Sequence, residues 1–188
     1  MRILLFILLL VSGGFLYGQG GAAAGGGVAE PSLMNRVYYC YRPDSLVSLE
    51  QAEGRMKNKT KALGFGGSET VFRMEGERSP VRVRAADTLR FAVRLGSMMD
   101  PSMTLKLYRF ESQKDGREAV ISNQSRFGKA KNDKNELAFD IQKLGSDSYF
   151  ILPPARLAPG EYGFMNVMMM KGSGYNMSYT FFTFGVDP

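Results

Sequence analysis

Alternation of apolar and polar residues at every second position is the feature that most constrains the fold of this chain. It is clearest over residues 70–75, 89–95 and 105–110. A period of two places successive side chains on opposite faces of a β-strand, so that one face can be buried. No segment carries a long helical repeat of apolar residues. The sequence therefore predicts an all-β protein.

Turn signals separate about nine such short segments. Asp115-Gly116 is a hairpin signal, and 22 glycines and 8 prolines are available for the corners. Residues 45–52 fit either a strand or a short helix, and residues 99–102 predict a turn. Further strands are predicted at 37–41, 81–84, 118–122, 137–141, 149–152, 161–165 and 178–184. This spacing favours an antiparallel β-sandwich of immunoglobulin-like character.

The N-terminal residues have the order of a cleavable secretory signal peptide. Arg2 supplies a positive charge, residues 3–11 are an unbroken run of nine apolar residues, and a glycine-containing break follows. We predict a signal peptide over 1–18, cleaved between Gly18 and Gln19. The run is well short of the roughly 20 residues that span a bilayer, so the processed chain is not expected to span a membrane. The expected location is secreted or periplasmic, at the cell envelope.

Composition then divides the processed chain into two parts. Residues 19–34 are rich in glycine and alanine and predict a flexible linker, because they offer few large side chains to pack. Residues 35–188 carry the strand pattern and predict one β-sandwich domain.

The chain has no histidine and a single cysteine. These absences exclude Ser-His-Asp and Cys-His catalysis, histidine-based metal sites, thiolate clusters and an intramolecular disulfide. Cys40 itself is interpreted as a buried strand residue. We therefore predict no catalytic, cofactor-binding or metal-ligating residues and a non-enzymatic protein. A glycan-active enzyme that uses two carboxylates is the alternative, since 18 acidic residues are present.

The formal net charge is +6. Loss of Arg2 with the signal peptide would leave a mild excess of basic residues, which suits an anionic envelope. We do not expect the protein to bind nucleic acid. Arg82 and Arg84 share one face of a predicted strand, and Arg90 and Arg94 share a face of the next. If these strands pair, the four arginines could hold phosphate or carboxylate groups of a surface glycan; otherwise they form a solvated face.

Methionines cluster at Met165 and at residues 168–170. Thioethers are soft ligands that suit Cu(I), so Met168 and Met170, which would share one face of a strand, are candidate Cu(I) ligands. Packing in a core or an interface is the competing explanation, because methionine commonly fills irregular cores.

Two tripeptides, Asp44-Ser45-Leu46 and Asp87-Thr88-Leu89, are similar to short sites that some Gram-negative bacteria O-glycosylate on exported proteins. They make Ser45 and Thr88 candidates for modification.

The C-terminal third has a recognisable pattern. A strand at 149–152 leads into Leu157-Ala158-Pro159-Gly160-Glu161-Tyr162-Gly163-Phe164, and the chain ends on Phe184-Gly185-Val186-Asp187. This L-x-P-G-E-Y-x-F corner followed by F-G-V resembles a group of uncharacterised exported bacterial β-sandwich proteins, over roughly residues 70–187. The resemblance implies the fold and brings no activity with it. The sequence as a whole predicts an exported binding or structural module whose partner is an unknown envelope protein or glycan.

Overall fold

The computed structural model describes residues 28–60, 68–96, 99–124, 131–132, 135–154, 156–173 and 177–188. The predicted signal peptide, the Gly18–Gln19 cleavage site and most of the predicted linker lie outside these residues. Among the described residues, no helix is both long enough and apolar enough to cross a membrane.

The described residues form fourteen β-strands and one short helix. The strands are β1 Val37–Arg42, β2 Ser45–Ser48, β3 Glu50–Thr60, β4 Ser68–Glu75, β5 Arg82–Arg84, β6 Phe91–Arg94, β7 Leu105–Gln113, β8 Gly116–Gln124, β9 Lys131–Asn132, β10 Glu136–Leu137, β11 Asp140–Lys143, β12 Ser148–Leu152, β13 Gly160–Lys171 and β14 Ser178–Asp187; the helix is α1 Pro101–Thr104. The predicted all-β class is confirmed.

Six strands close into an antiparallel barrel. Their order is β7-β13-β14-β3-β4-β8, and β8 pairs back with β7. Strand β7 makes closure possible because residues 105–110 pair with β13 and its last three residues pair with β8. Short strands β9 and β10 extend the sheet at β8 and β7, and β5 runs parallel to the end of β14.

The remaining five strands form an open antiparallel sheet in the order β11-β12-β6-β1-β2. This sheet packs against the outside of the barrel wall made by β7, β13 and β14, as the shared apolar cluster shows. Residues of that cluster come from both layers: Val37, Tyr39, Phe91, Val93 and Ile151 from the open sheet, and Leu105, Leu107, Tyr162, Phe164, Phe182 and Phe184 from the barrel.

A second apolar cluster fills the barrel interior. Its buried members are Phe72, Met74, Tyr108, Phe110, Ala119, Met165, Tyr179 and Phe181. Strand β14 illustrates how one sequence serves both cores: Phe181 faces the barrel interior, while Phe182 and Phe184 face the open sheet. The two-residue period therefore predicts these strands correctly, but their outward faces are buried as well as their inward ones.

The larger sheet is where the structure departs from the predicted sandwich, because that sheet is closed and not open. Closure depends on β3, which bridges β14 and β4. The pattern prediction ended this strand at residue 52, yet β3 continues to Thr60. Its second half is exposed on both faces and has Met56 as its one apolar residue, so it lacks the apolar alternation that reveals the other strands.

The β7–β8 hairpin is confirmed, but its glycine has a different role from the predicted one. Gln113 pairs with Gly116, so Lys114 and Asp115 form the turn. A Cβ atom on Gly116 would lie 2.2 Å from the carbonyl oxygen of Met74 on β4. Glycine is needed here for close approach of two backbones. Residues 99–102 were predicted as a turn, but Pro101 and Ser102 begin the single-turn helix α1. Asp100 caps its N-terminus by accepting from the Ser102 amide.

The last residues of the predicted linker contact the open sheet. The Ala29 amide donates to the carbonyl of Pro43 at 2.8 Å, and the Glu30 carboxylate accepts from the Ser148 hydroxyl at 2.8 Å. Met34 forms a bridge with Arg94 on β6.

Candidate functional site

A buried network of charges closes one end of the barrel. Its centre is Arg117 on β8, whose inward position on the strand follows from its spacing to the core residue Ala119. The Arg117 side chain is 1% exposed. Its Nη2 donates to Oε2 of Glu50 on β3 at 3.1 Å, and its Nη1 lies 3.6 Å from Oε2 of Glu161 on β13.

A second arginine, a backbone amide and a hydroxyl group complete this network. Arg82 on β5 binds both Glu161 and Asp187, and its Nε donates to Oδ2 of Asp187 at 3.2 Å. The Ser79 amide donates to Glu161 at 2.8 Å, and the Thr183 hydroxyl donates to Glu50. Hydrogen bonds to Asp187 and Glu161 raise the pKa of Arg82, and the same contact with Arg82 lowers the pKa of Asp187.

The network does not have the layout of a carboxylate acid–base pair. Glycoside hydrolysis needs two carboxyl groups about 5–10 Å apart with room for a sugar between them. Here the Arg117 guanidinium occupies the space between Glu50 and Glu161. Its Nε and Nη1 have no hydrogen-bond partner among the described residues, so its two ion pairs are not fully supported by hydrogen bonds. The geometry is that of a structural ion-pair network that fills this end of the barrel, and we call it the plug.

The outer wall of the barrel carries a second charged arrangement. On the ladder between β3 and β4, Arg55 lies directly opposite Arg73. Like charges in directly opposed positions destabilise a sheet unless another group compensates them. Arg73 is compensated on its far side by Glu118 of β8, which accepts from Arg73 Nη1 at 2.6 Å and also from Lys59.

The Glu118 carboxylate is only 7% exposed. Burial raises its pKa, but the hydrogen bonds and charges of Lys59 and Arg73 outweigh burial and hold the pKa of Glu118 below its ordinary value. Glu118 therefore fixes Lys59 and Arg73 in place on the wall. Arg55 is held more loosely, since its ion pair with Glu53, at 3.5 Å, is exposed to solvent.

A cleft of about 520 Å³ opens beside Arg55 and Arg73. It lies where β3 and β4 separate beyond the Gly54–Met74 pair. Its lining is mixed in charge and comprises Glu50, Ala52, Glu53, Arg55, Lys57, Arg73, Met74 and Glu75. A second cleft, of about 620 Å³, lies beside β7 and is lined by Arg109, Phe110, Glu111, Ser112, Asn135, Leu137, Gly160 and Glu161.

The structure does not bring the four arginines of the predicted basic patch together. Arg82 lies on β5, which pairs with β14, whereas Arg94 lies on β6 in the open sheet. Arg82 is bound to Glu161 and Asp187, and Arg84 is an exposed residue paired with Asp87. Arg90 stacks over Phe150, with its Cζ atom 4.9 Å from the ring centre. The condition for the patch, that these strands pair, is not met.

The methionines of β13 divide between different environments. Met165 is buried in the barrel interior, while Met168 and Met170 are 60% and 48% exposed. A register shift lies between Asn166 and Met170, so Met170 pairs with Tyr179. Simple alternation from Phe164 would have placed Met170 on the opposite face of the strand. Met169 instead packs against the cluster beneath the open sheet.

The other candidate residues lie on the open sheet and its loops. Cys40 is a half-buried residue of β1. Burial raises the pKa of its thiol to about 11, although the charge of Arg90 lowers it, so the thiol is poorly nucleophilic at neutral pH. Ser45 begins the edge strand β2, and Thr88 is exposed in the loop after β5.

No family model matches this chain, and comparison with curated proteins finds no significant match. Among the described residues, no group of three or more Cys, Asp or Glu side chains is placed to hold a metal ion.

Sequence reasoning missed the plug and the opposed arginines. The plug had a readable signal, because Arg117 occupies the same strand face as Ala119 and Ile121. A charged residue at an inward position of an alternating strand implies a buried partner. The facing of Arg55 and Arg73 had no such signal, because it depends on the register between β3 and β4.

Proposed function

We propose that this protein is an exported, non-enzymatic binding module of the bacterial cell envelope, and that its ligand is an anionic group of an envelope glycan. The composition of residues 1–18 supports export. The observation that carries the binding role is the direct opposition of Arg55 and Arg73 at the cleft between β3 and β4.

A bound anion would compensate the repulsion between these guanidinium groups. Phosphate and carboxylate are the groups that arginine binds best, because its N–H donors match their oxygen atoms in pairs. Glu53 and Glu75 also line the cleft, and their charges would repel an extended polyanion. The cleft is therefore suited to a single charged substituent on an otherwise neutral sugar.

Titration with simple sugars tests this proposal. The probes are glucose 6-phosphate and glucuronate, with glucose as the neutral reference, and the readout is chemical-shift change in the β3 and β4 amides. We expect both anions to bind with an affinity that falls as salt is added, and we expect glucose not to bind. Arg55→Gln should weaken binding, and Glu53→Gln should strengthen it.

Arg84→Gln is the matched control, because Arg84 is an exposed arginine in an ion pair with Asp87. Equal shifts with glucose, or an equal loss in the Arg84 and Arg55 variants, would contradict the proposal. Export is tested separately by fractionating the native host and sequencing the mature N-terminus, which we expect to begin at Gln19.

The absence of catalysis is part of the same proposal. Its support is the position of Arg117 between Glu50 and Glu161, which leaves no room for a sugar between the two carboxylates. Hydrolysis of envelope glycans by the purified protein, lost in a Glu161→Gln variant that still folds, would overturn it.

We also propose that the two-layer half of the molecule is immunoglobulin-like. Besides the face-to-face packing, its support is Tyr162, whose hydroxyl donates to the Ala158 carbonyl at 2.7 Å. This bond back to the preceding corner resembles the tyrosine corner of immunoglobulin-like domains. An experimental structure in which the open sheet does not pack on β7, β13 and β14 would contradict the immunoglobulin-like assignment.

A further inference from the structure

We propose that Met56, Met170 and Met177 form a thioether site for one Cu(I) ion at the barrel end opposite Arg117. Met56 lies on β3 and Met170 on β13, the two strands that flank β14, and Met177 directly precedes β14. The inference is independent of the glycan-binding role.

The strand registers place the three methionines on the inward face of the barrel wall. Met170 lies opposite Tyr179, which belongs to the barrel core. Met177 precedes Tyr179 by two residues, so it shares that face, and it packs against the same core. Met56 lies opposite another core residue, Phe72.

The registers also place them close together. The ladder between β14 and β3 ends where Ser178 pairs with Arg55, and Met177 and Met56 are the next residues along the two chain segments. Directly opposed residues have Cβ atoms about 5 Å apart, and diagonal neighbours about 7–8 Å. Met177 is a diagonal neighbour of Met170 and lies beside Met56, so its long and flexible side chain can bring its sulfur atom near both of the others.

Packing alone does not account for this group. Met165, deeper in the barrel, is 5% exposed and is explained as core. Met56 and Met170 are 43% and 48% exposed, so a large part of each side chain faces solvent at the barrel mouth. Sulfur atoms in that position are accessible to an ion.

The ligand chemistry selects a soft monovalent ion. Thioethers are neutral, soft donors that suit Cu(I) and bind hard cations poorly. In an oxidising compartment they also have an advantage over thiols, because they cannot be lost to disulfide formation. The chain has no histidine, and its one cysteine, Cys40, lies on the open sheet, so these thioethers are its accessible soft donors at this barrel end.

The structure changes the ligand set that the sequence suggests. Met168 and Met170 would share a face in a regular strand, but β13 shifts its register between Asn166 and Met170. Met170 lies opposite Tyr179, whereas Met168 falls inside the shifted segment and lies opposite no residue of β14. Met170 then joins Met56 and Met177, and Met168 is an exposed methionine outside the group. Met168 therefore provides a control within the same strand.

The test is a titration of the mature protein with Cu(I) under anaerobic conditions and, in parallel, with Ag(I) as a redox-inert probe. Native mass spectrometry gives the stoichiometry, and NMR of protein labelled at the methionine methyl carbons gives the sites. We expect one ion per chain and shifts confined to Met56, Met170 and Met177. Each single leucine substitution at these positions should weaken affinity by about tenfold or more.

Met168→Leu and Met103→Leu are the controls, since both residues are exposed, at 60% and 78%, and lie outside the group. They should bind as tightly as the unchanged protein, and circular dichroism should show that every variant is folded. Absence of a one-to-one adduct would overturn the proposal. So would an equal loss of affinity in the Met168 and Met170 variants.

Discussion

The two ends of the barrel are built on the same strands in opposite ways. Strands β3 and β13 contribute Glu50 and Glu161 to one end and Met56 and Met170 to the other. At the first end the side chains are charged and the central Arg117 is almost completely buried. At the second end they are apolar, and Met56 and Met170 are nearly half exposed.

The difference indicates which side chains are already paired with one another and which are free to bind a ligand. At the charged end each carboxylate already faces a guanidinium, so the groups are occupied with one another. At the methionine end the side chains have no strong mutual interaction and present soft donors to solvent. We therefore expect substitutions at the charged end to change stability, and substitutions at the methionine end to change binding.

Replacing Arg117 should have the largest effect. Arg117→Met keeps an unbranched apolar stem but leaves Glu50 and Glu161 without the charge between them. Removing one partner of a buried ion pair costs about 3–5 kcal/mol, so we expect the free energy of unfolding to fall by that amount. Urea denaturation followed by circular dichroism measures it.

Arg84→Met is the comparison for this variant, because it removes an arginine from an exposed ion pair. Exposed pairs contribute about 0–1 kcal/mol. If both variants lost the same free energy of unfolding, the distinction between the buried charges of the barrel end and an exposed ion pair would be wrong.

The next largest loss of stability is expected from a substitution in the barrel interior, between the two ends. A Cβ atom on Gly54 would lie 2.5 Å from Cε2 of Phe181, so Gly54→Ala overfills the core and forces the ring to move. Overpacking typically costs about 1–3 kcal/mol. The same denaturation experiment applies, and Gly54→Ala with Phe181→Leu should recover part of the loss. A stable single variant would mean that the barrel is loosely packed.

Particular elements explain how much of this could be predicted from sequence. Strands β4 and β7 were predicted because apolar residues alternate along them, and the β7–β8 hairpin was predicted from Asp115-Gly116. The second half of β3 was missed because Met56 is its one apolar residue, so no alternation is visible there. The segment predicted as one strand at 137–141 divides between β10 and β11, because its ends pair in different sheets.

Both candidate sites depend on register, which the sequence does not encode locally. Arg55 meets Arg73 only through the register between the consecutive strands β3 and β4. Met56 comes near Met177 only because β3 pairs with β14, which is distant in the chain. The shift after Asn166 also reverses the face on which Met170 lies. The sequence shows the residue types at these positions, so a methionine site could be proposed from it. It does not show which arginines or which methionines lie together.

Acid should weaken the fold through Glu118, on the outer wall. Its pKa is held below the ordinary value in the folded state, so the carboxylate stabilises the fold above the pKa of the unfolded chain, near 4.3. That contribution is lost as the pH falls through the lowered folded value. We expect stability to decline below about pH 4.5, and this decline to be smaller in Glu118→Gln.

At neutral pH, Glu118→Gln should cost about 1–3 kcal/mol, since it weakens hydrogen bonds to Lys59 and Arg73. Urea denaturation at pH 7 and at pH 3.5 separates the two effects. An unchanged acid dependence in the variant would assign the decline to other carboxylates.

The smallest effect on stability is expected at the methionine end. Met170→Leu exchanges one apolar side chain for another of similar volume at a half-exposed position, so the free energy of unfolding should change by less than about 0.5 kcal/mol. Thermal and urea denaturation of Met170→Leu beside Met168→Leu measure this change. A loss above about 2 kcal/mol would be typical of a core position. It would mean that this end is closed by packing, as the other end is by charge, and that the thioethers are not free to bind an ion.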